Sequence, residues 1–411
     1  MIREFAEQRQ GPRDELRTLQ QSWGKLWTEW REYPEISQNP LQTSTREILD
    51  LEAQIKEKII QWLDTEVVDE SIAERFLYPL AAAIRDDHVG RKIALRGCID
   101  VTNTCRVDCE FCPMRRTRPR VKEGATENDI AAKTADDISP LEIQKATTEE
   151  IVEAADKSYA DGIREFFIQG GEDTTMIPVV EAALKEIVAR YPDMKVTLNL
   201  GGFNKEQFVR LRKAGATDYL IKHETANPRL HVEQRGETLE KRLQYMTWAR
   251  EAGFNVGTGN ILGLPGQTIK DLADDIIFMG RFNPTTVSCA PFTPSRDLPE
   301  RMRDHPSPDL EKVMRFVALL RVCFPDARIP ATSNTDSPET PRKDRTKFGQ
   351  SKTIEAGANG VTIQYTPARL NKYALYIPMQ EKERQGWRVT REKAILVSSQ
   401  TGLPLDLAGS R

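Results

Sequence analysis

Hydrophobic positions in the first ninety residues recur at helical spacing. Apolar side chains return every three or four residues, which places them on one face of a helix. A second such stripe begins near residue 45, and a third segment runs roughly over residues 71–87. Residues 1–90 are therefore predicted to form a helical N-terminal extension. Its first stripe consists of Leu16, Leu19, Trp23, Trp27 and Trp30.

From residue 92 onward, short β-rich runs alternate with amphipathic helical stretches. The predicted strands are 93–101, 165–169, 195–200, 218–223, 254–262, 286–292, 327–332 and 360–366. The predicted helices between them are about 147–161, 177–191, 204–214, 238–252, 268–282, 308–324 and 347–356. Eight strands that alternate with helices predict the α/β fold class and a complete (β/α)8 TIM-type barrel.

These patterns give the expected domain boundaries. Residues 91–378 form the barrel, and residues 379–411 form a C-terminal tail. Residues 117–144 are long, polar and charged, so they are predicted to be a loop insertion that covers the mouth of the barrel or is mobile. In such barrels the chemistry lies at the C-terminal ends of the strands.

Composition narrows the class of protein. The chain has 411 residues, of which 39% are hydrophobic and 29% charged, and this balance is typical of a globular protein. A formal net charge of -3 gives no reason to expect nucleic acid or an anionic membrane as partner. No apolar run is long enough to span a bilayer, and the charged first residues do not resemble a secretory signal. We therefore expect a cytoplasmic protein.

Three cysteines lie within eight residues directly after the first predicted strand. Cys105, Cys109 and Cys112 have the spacing C-x3-C-x2-C, and thiolates are the ligands of iron–sulfur clusters. Three ligands would leave one iron of a [4Fe-4S] cluster open. A structural zinc site needs four protein ligands, and the loop offers no fourth cysteine or histidine nearby. The three cysteines are therefore predicted metal ligands.

The ends of two later strands carry further candidate residues. Gly170 and Gly171 would let a ligand approach the backbone, and the carboxylates of Glu172 and Asp173 could pair with an ammonium group. Glu224 lies at the end of the fourth strand, where a carboxylate can contact a ligand or form a buried pair with barrel neighbours.

With the aromatic residue Phe111 before its third cysteine, the motif resembles the signature of the radical S-adenosylmethionine (SAM) superfamily. The resemblance implies a [4Fe-4S] cluster whose open iron binds the amino and carboxylate groups of SAM. It implies reductive cleavage of SAM to methionine and a 5'-deoxyadenosyl radical, which takes a hydrogen atom from the substrate. The implied cofactor-binding residues are Phe111, Gly170, Gly171, Glu172, Asp173, Glu224, Arg242, Gly263, Leu264 and Pro265.

Residues 77–378 resemble the HydE, PylB and biotin synthase branch, and most of all the [FeFe]-hydrogenase maturase HydE. The motifs HETANP at 223–228 and GLPGQT at 263–268 carry this resemblance. It implies a closed barrel with the substrate inside and Lys222 and Glu224 as catalytic residues. Maturases usually have arginine at the position of Lys222 and commonly serine at that of Gly170, so a different substrate is plausible.

Hydroxyl groups end the last two predicted strands. Thr332 and Ser333 follow the seventh strand, and Tyr365 and Thr366 end the eighth. These hydroxyls are predicted to face the barrel interior and contact a polar substrate.

The remaining cysteines do not form a second motif. Cys98 and Cys289 do not reproduce the cysteine set that holds the second cluster of biotin synthase, and Cys323 follows a helical pattern. We predict that all three are small core residues and that the chain holds a single cluster.

A basic run follows the cluster motif. Arg115, Arg116, Arg118 and Arg120 form either a solvated loop or a docking patch for an acidic electron donor such as a flavodoxin or ferredoxin.

The predicted function is that of a HydE-like radical SAM enzyme that acts on a small amino-acid-like or cysteine-derived substrate in the barrel. One alternative is a PylB-like carbon-skeleton rearrangement in a biosynthetic pathway. The other is a non-catalytic iron–sulfur accessory protein whose Trp-rich N-terminal helices bind a partner. The complete set of SAM motifs favours the enzyme, because a scaffold needs no SAM site.

Overall fold

A computed structural model describes residues 2–42, 44–122, 124, 126, 140–337, 340–341, 343, 345–370 and 387–408. The central part of the predicted 117–144 insertion lies outside the described residues. Its two ends form a short parallel ladder between the strands β2 (Arg120–Val121) and β3 (Leu141–Glu142).

The N-terminal region is helical. Thr45 and Asp69 begin two of its helices, because their side-chain oxygens accept a hydrogen bond from the backbone N–H three residues later. The elements are α1 (Ile2–Glu32), α2 (Pro34–Gln38), α3 (Arg46–Leu63), α4 (Glu70–Ile72), a π-helical turn (Ala73–Leu77) and α5 (Tyr78–His88).

A curled, parallel sheet forms the centre of the protein. Its strand order is β10-β1-β4-β5-β6-β7-β8, and β9 pairs with the other side of β1. The strands are β1 (Ile93–Asp100), β2 (Arg120–Val121), β3 (Leu141–Glu142), β4 (Glu165–Gln169), β5 (Lys195–Asn199), β6 (Asp218–Leu220), β7 (Asn255–Leu262), β8 (Val287–Pro291), β9 (Gly360–Gln364) and β10 (Leu405–Asp406).

The expectation of a complete eight-stranded barrel is met only in part. Seven of the eight predicted strands form, but residues 327–332 form no strand. They contact both neighbours through isolated bridges, Thr286 with Arg328 and Pro330 with Gly360. Pro330 has no backbone N–H to donate to a ladder, which helps to explain why this segment forms bridges instead of a strand.

Helices cover the outer face of the sheet. They are α6 (Thr148–Ala160), α7 (Ile177–Arg190), α8 (Lys205–Lys213), α9 (Pro228–Arg235), α10 (Leu239–Glu251), α11 (Ile269–Phe282), α12 (Glu300–Arg303), α13 (Leu310–Cys323) and α14 (Gly349–Glu355). The sequence patterns did not predict α9. It is only eight residues long, but Asn227 caps its start and Gly236 ends it in a left-handed conformation.

Residues 387–408 of the predicted C-terminal tail pack against the sheet. Residues Trp387–Thr401 form α15, which packs on β9, and β10 pairs with the start of β1. The Thr390 hydroxyl accepts a hydrogen bond from the backbone N–H of Gln364. This helix covers the outer face of β9, which would otherwise lack a helix of its own.

The N-terminal helices pack tightly against the barrel. Trp23 and Trp30 are buried and lie against Gly280 of α11, where a side chain would clash with both rings. Glu52 of α3 joins three helices, because its carboxylate accepts hydrogen bonds from Trp30 Nε1 (2.9 Å) and from Arg281. These tryptophans therefore do not form the exposed partner surface that the accessory-protein alternative requires.

No helix in the described part of the chain is both long enough and apolar enough to cross a membrane.

Candidate active site

The cysteine loop lies at the C-terminal end of β1 and is held by donors directed at its sulfur atoms. Cys105 Sγ accepts hydrogen bonds from the backbone N–H groups of Val107 and Glu172, both at 3.4 Å. Cys109 Sγ lies 3.2 Å from Nη1 of Arg235. Burial raises the pKa of the Cys109 thiol, and the Arg235 charge opposes that rise. Donors of this kind stabilise thiolates.

These thiols suit an iron–sulfur cluster. Among the described residues, no three His, Cys, Asp or Glu side chains converge as the ligands of one metal ion would. A cluster does not require that convergence, because its cysteines bind different irons. Gly171 brings the end of β4 against the loop, since a Cβ atom there would lie 2.1 Å from the Thr104 carbonyl oxygen. The residues of the loop and of the end of β4 therefore fit an iron–sulfur cluster.

Glu172 is the centre of a buried ion network. Its Oε1 lies 2.6 Å from Nη2 of Arg235 and 2.9 Å from Nη1 of Arg242, and its Oε2 lies 3.4 Å from Nη2 of Arg106. Gly201, with φ +81°, makes room for this carboxylate, because a Cβ atom there would lie 1.7 Å from Glu172 Cγ. The carboxylate expected to meet an ammonium group thus pairs with arginines.

Arg235 is a site residue that the sequence analysis missed. It bridges Cys109 and Glu172 from the end of α9, a helix too short to give a periodic signal. Its position between the HETANP motif and Arg242 is the only sequence feature that points to it. Arg242 is buried, so it is not a surface charge, and its Nε donates to the Lys222 carbonyl at 2.7 Å.

Asp173 supports the loop from the other side. It forms a hydrogen bond with Thr104, an ion pair with Lys145 at 2.7 Å, and caps the 3-10 turn Thr174–Met176. Burial raises the pKa of Asp173, but hydrogen bonds from Lys145, Thr104 and Thr175 outweigh it and leave the pKa below its ordinary value.

Lys222 and Glu224 form a pair that faces the barrel interior, with Lys222 Nζ 3.0 Å from Glu224 Oε2. Burial raises the pKa of Glu224, but the charges of Lys222, Arg235 and Arg242 outweigh it and lower the pKa overall. Glu224 has φ +67°, a left-handed conformation that costs a non-glycine residue free energy. Its backbone is held in this conformation by hydrogen bonds to Gly259 and Ile261 of β7.

Helix α11 fixes the strained turn from outside. The fully buried Asp275 accepts hydrogen bonds from the Ala226 N–H (2.5 Å) and from Asn260 Nδ2 (2.8 Å). It also lies 3.5 Å from Nε2 of His223, whose Nδ1 contacts the Thr258 hydroxyl. The HETANP histidine is therefore a positioning residue outside the barrel, and the neighbouring Lys222 and Glu224 face inward.

The loop at 263–267 closes the site next to Phe111. Gly263 has φ +81°, and Gln267 Oε1 accepts hydrogen bonds from the N–H groups of Gly263 and Leu264. The Pro265 carbonyl accepts from Gln234 Nε2 at 2.6 Å. Leu264 is buried in a small apolar cluster with Phe292, Leu298 and Met302, and Phe111 packs against that cluster. An apolar wall thus borders the cysteine loop.

The inward face of the sheet is polar and partly accessible. Along β5 and β9 the residues that face the helices are buried, whereas inward residues such as Thr197 and Gln364 are half-buried. Gly97 defines the outward face of β1, because a Cβ atom there would meet Ser158 of α6. Alternation then directs Cys98 and Asp100 inward. Below the cysteine loop, the inner face of these strands therefore carries partly accessible polar side chains beside the apolar side chains of Cys98, Phe167 and Leu220, and this inner space is called the chamber below.

The four predicted substrate hydroxyls have different environments. Tyr365 does not face the interior: its hydroxyl donates to Asp161 at the end of α6 (2.6 Å), and its ring packs beside Gly97. The prediction for Tyr365 was wrong, because the alternation of side chains along β9 directs this residue outward, toward the helices. Thr366 accepts a hydrogen bond from the Asp100 N–H at 2.8 Å. Thr332 and Ser333 are half-buried at the start of a 3-10 turn next to β8.

The basic run after the cluster is mostly not a free surface. Arg115 and Arg118 are buried and contact Asp297, through its carbonyl at 2.7 Å and its carboxylate at 3.2 Å respectively. Arg120 donates to three backbone carbonyls of the loop. Only Arg116 of this run is strongly exposed, at 64% of its side chain. Both sequence interpretations, a solvated loop and a docking patch, are wrong for the other three arginines, which brace the cysteine loop.

The three remaining cysteines are buried and unpaired. Cys98 packs with Phe167 and Leu220 inside the barrel. Cys289 and Cys323 belong to the main hydrophobic core.

A cavity of about 870 Å³ lies at the opposite end of the barrel, where α1 faces the N-terminal ends of the strands. It is lined in part by Trp23, Trp27, Lys195, Asp218 and Arg328. A second, much smaller space of about 10 Å³ is lined in part by Arg96, Asp218 and Arg328. The cavity is remote from the cysteine loop and belongs to a different part of the molecule.

Comparison with known proteins agrees with this geometry. Residues 99–279 match the family model "Radical SAM superfamily". The chain is 34% identical over 303 residues to the [FeFe] hydrogenase maturase subunit HydE of Thermotoga maritima, covering 73% of this chain and 78% of that protein. It is 27% identical over 274 residues to biotin synthase 1 of Corynebacterium diphtheriae, covering 66% and 71% respectively.

The fold has solved relatives as well. The crystal structure of methylornithine synthase (PylB) superposes with a TM-score of 0.67 at 20% identity, covering 85% of this chain and 94% of that one. Taken with the HydE match and the site geometry, the conclusion is that the chain shares the fold of methylornithine synthase, is similar in sequence to HydE and biotin synthase, and belongs to the radical SAM superfamily, enzymes that use a [4Fe-4S] cluster and S-adenosylmethionine.

Proposed function

We propose that this enzyme cleaves SAM reductively and directs the resulting radical at a small amino-acid-like or cysteine-derived substrate inside the barrel. The polar chamber below the cysteine loop carries this proposal. A substrate there would lie under the cluster among the inward side chains and would displace water from them.

Cys105, Cys109 and Cys112 would hold the cluster, which together with SAM would supply the radical chemistry. The residues of this chain do the positioning. Arg235 neutralises the cysteine loop, and Glu172 fixes the guanidinium groups of Arg235 and Arg242.

Lys222 and Glu224 are proposed as the catalytic pair. They form an ion pair of 3.0 Å where β6 leads into the HETANP turn. A lysine contributes a single compact charge where an arginine would make two parallel contacts. This difference from the maturases supports a substrate other than that of HydE.

Closure of the barrel is part of this proposal. The bridges that Arg328 and Pro330 make with the strands on either side support a closed ring. A closed ring would leave the cluster end as the route by which the substrate enters.

The first test is cofactor cleavage. Protein reconstituted anaerobically with iron and sulfide, then mixed with SAM and dithionite, should form 5'-deoxyadenosine. The matched control is Cys109→Ala, with Cys323→Ala as a buried cysteine outside the loop. Nucleoside from wild type and Cys323→Ala but not from Cys109→Ala supports the proposal. A loaded cluster that neither binds nor cleaves SAM contradicts it.

The second test addresses the substrate class. Candidate amino acids and cysteine derivatives labelled with deuterium should transfer the label to 5'-deoxyadenosine when the radical abstracts hydrogen. A rearranged carbon skeleton in the product would instead favour a PylB-like reaction. Addition of the adenosyl group to the substrate would appear as a covalent adduct by mass spectrometry.

A further inference from the structure

The chamber wall contains a carboxylate that the mechanism above does not use. Asp100, the last residue of β1, is 7% exposed and faces the interior. Its two oxygens each accept one hydrogen bond from an amide: Oδ1 from Gln169 Nε2 at 2.7 Å and Oδ2 from Gln364 Nε2 at 2.6 Å. The glutamines belong to the strands on either side of β1.

Within the described residues, no positive charge balances this carboxylate. In the part of the chain that the structure describes, Asp100 forms no ion pair with a lysine, arginine or histidine. Arg96, the cation on the same face of β1, lies four residues lower, where it donates to Thr362 and stacks over the Phe167 ring. An unpaired buried carboxylate is costly, and a folded protein normally supplies it with a partner or leaves it to a ligand.

A second acceptor beside Asp100 has no donor at all. Gln364 Oε1 is buried without a hydrogen-bond partner, although Nε2 of the same amide is used by Asp100. This corner of the chamber therefore offers a carboxylate without a paired cation and a carbonyl oxygen without a donor. A primary ammonium group supplies three N–H donors and the missing positive charge.

We propose that Asp100 and Gln364 form a subsite for a primary ammonium group of the substrate, with Gln169 holding the carboxylate in place. This inference rests on the proposed function, because it places the substrate in the same chamber, and it narrows the substrate class to small molecules with a primary amine. Lys222 and Glu224, which follow β6, remain available for the rest of the substrate.

The subsite is tested with small amines, because the substrate is not identified. The cluster-loaded, SAM-bound protein is titrated by calorimetry at pH 8 with methylammonium, n-butylammonium and L-ornithine, and with n-butanol as the uncharged match. At least one amine should bind wild type about tenfold or more tightly than Asp100→Asn, and n-butanol should not distinguish the two. Asp326→Asn, which removes an exposed carboxylate from the far end of the barrel, is the matched control and should bind as wild type does.

Two results would overturn the subsite. One is equal binding of every amine to wild type and Asp100→Asn, and the other is no saturable binding of any amine to wild type at millimolar concentration. Asparagine has the same shape and carries no charge, so Asp100→Asn is expected to fold. Potassium chloride is titrated as well. Displacement of the amines by potassium ions would show that Asp100 and Gln364 prefer a metal cation, and this result would also contradict the ammonium subsite.

Failure of the subsite is distinguishable from failure of the proposed function. The formation of 5'-deoxyadenosine by the wild-type preparation reports SAM cleavage independently of the amines. If the protein cleaves SAM but does not bind amines selectively, the proposed radical chemistry is supported and only the ammonium subsite is contradicted.

Discussion

Arg235 places its guanidinium 3.2 Å from the sulfur of Cys109, the middle cysteine of the loop. The same side chain contacts Glu172 at 2.6 Å, so one residue links the cysteine loop to the ion network at the end of β4. Hydrogen bonds and positive charge near a cluster sulfur raise its reduction potential, because they stabilise the more negative, reduced form.

Arg235→Lys tests this link. Lysine keeps the charge but cannot reach sulfur and carboxylate with two separate nitrogen atoms. We expect the midpoint potential of the cluster to fall by on the order of 60 mV, a factor of ten in the one-electron equilibrium. A redox titration followed by electron paramagnetic resonance measures it. Arg229→Lys, exposed on the same helix, is the control, and identical potentials in both variants would contradict the role.

The close approach at Gly201 predicts a large effect from one methyl group. Gly201→Ala would place Cβ 1.7 Å from Glu172 Cγ at a backbone φ of +81°. The strained backbone of the alanine and the displacement of the Glu172 side chain together should lower the free energy of unfolding by about 3 kcal/mol. The iron content of the reconstituted protein should fall as well. Gly24→Ala is the matched control: its position in α1 is exposed with open space around it, so alanine should stabilise the protein by roughly 1 kcal/mol. If thermal denaturation shows Gly201→Ala to be as stable as wild type or Gly24→Ala, the close approach of Gly201 to Glu172 is contradicted.

Glu52 is expected to hold the N-terminal helices on the barrel. Glu52→Ala leaves Arg281 without its carboxylate and Trp30 Nε1 without its acceptor, and should cost roughly 3 kcal/mol. Urea denaturation measures the loss, with the exposed Glu57→Ala on the same helix as control. Limited proteolysis should then release α1 before it cuts the barrel, and simultaneous loss of both would show that the helices are not a separable layer.

The arginines after the cysteine loop should differ in effect according to burial. Arg118→Glu places a carboxylate against Asp297 in a buried contact, and we expect it to lower the iron content of the reconstituted protein. Arg116→Glu changes an exposed side chain and should leave the iron content unchanged. Iron and sulfide analysis compares them directly. Full iron loading of Arg118→Glu would mean that this arginine does not brace the loop.

Asp100 predicts a pH dependence of stability. Burial raises its pKa from 3.8 to about 7, with Gln169 and Gln364 opposing the rise. The titratable group that faces it from its own strand is Cys98, because Arg96 lies four residues lower over the Phe167 ring. Between pH 3.8 and 7 the folded state keeps a proton that the unfolded state has lost. Stability should therefore fall as the pH rises through this window, by up to about 1.4 kcal/mol per pH unit, and level off above pH 7.

Asp100→Asn removes this titration. The free energy of unfolding of wild type minus that of Asp100→Asn should decline between pH 5 and 7 and stay constant from pH 7.5 to 8.5, as measured by chemical denaturation. A difference that does not change with pH would show that Asp100 is ionised throughout.

The sequence by itself determined the chemistry and most of the elements. The cysteine spacing, the glycines of the 170–171 and 263–266 turns and the HETANP motif are local features, because a ligand set or a tight turn depends on residues near one another in the chain. Strand and helix periodicity likewise follows from which face of each element is buried. Seven of the eight predicted barrel strands therefore lie close to their predicted positions.

Tertiary structure decided which of the polar residues meet. Arg235 reaches Cys109 across 126 positions, and Gln364 reaches Asp100 across 264, so no local pattern could pair them. The outward phase of Tyr365, the burial of Arg118 and the packing of α15 on β9 likewise depend on how distant elements are brought together. The sequence marks where the predicted ligands of the cluster are, but only the packing of distant strands against one another shows which side chains line the inner face of the sheet.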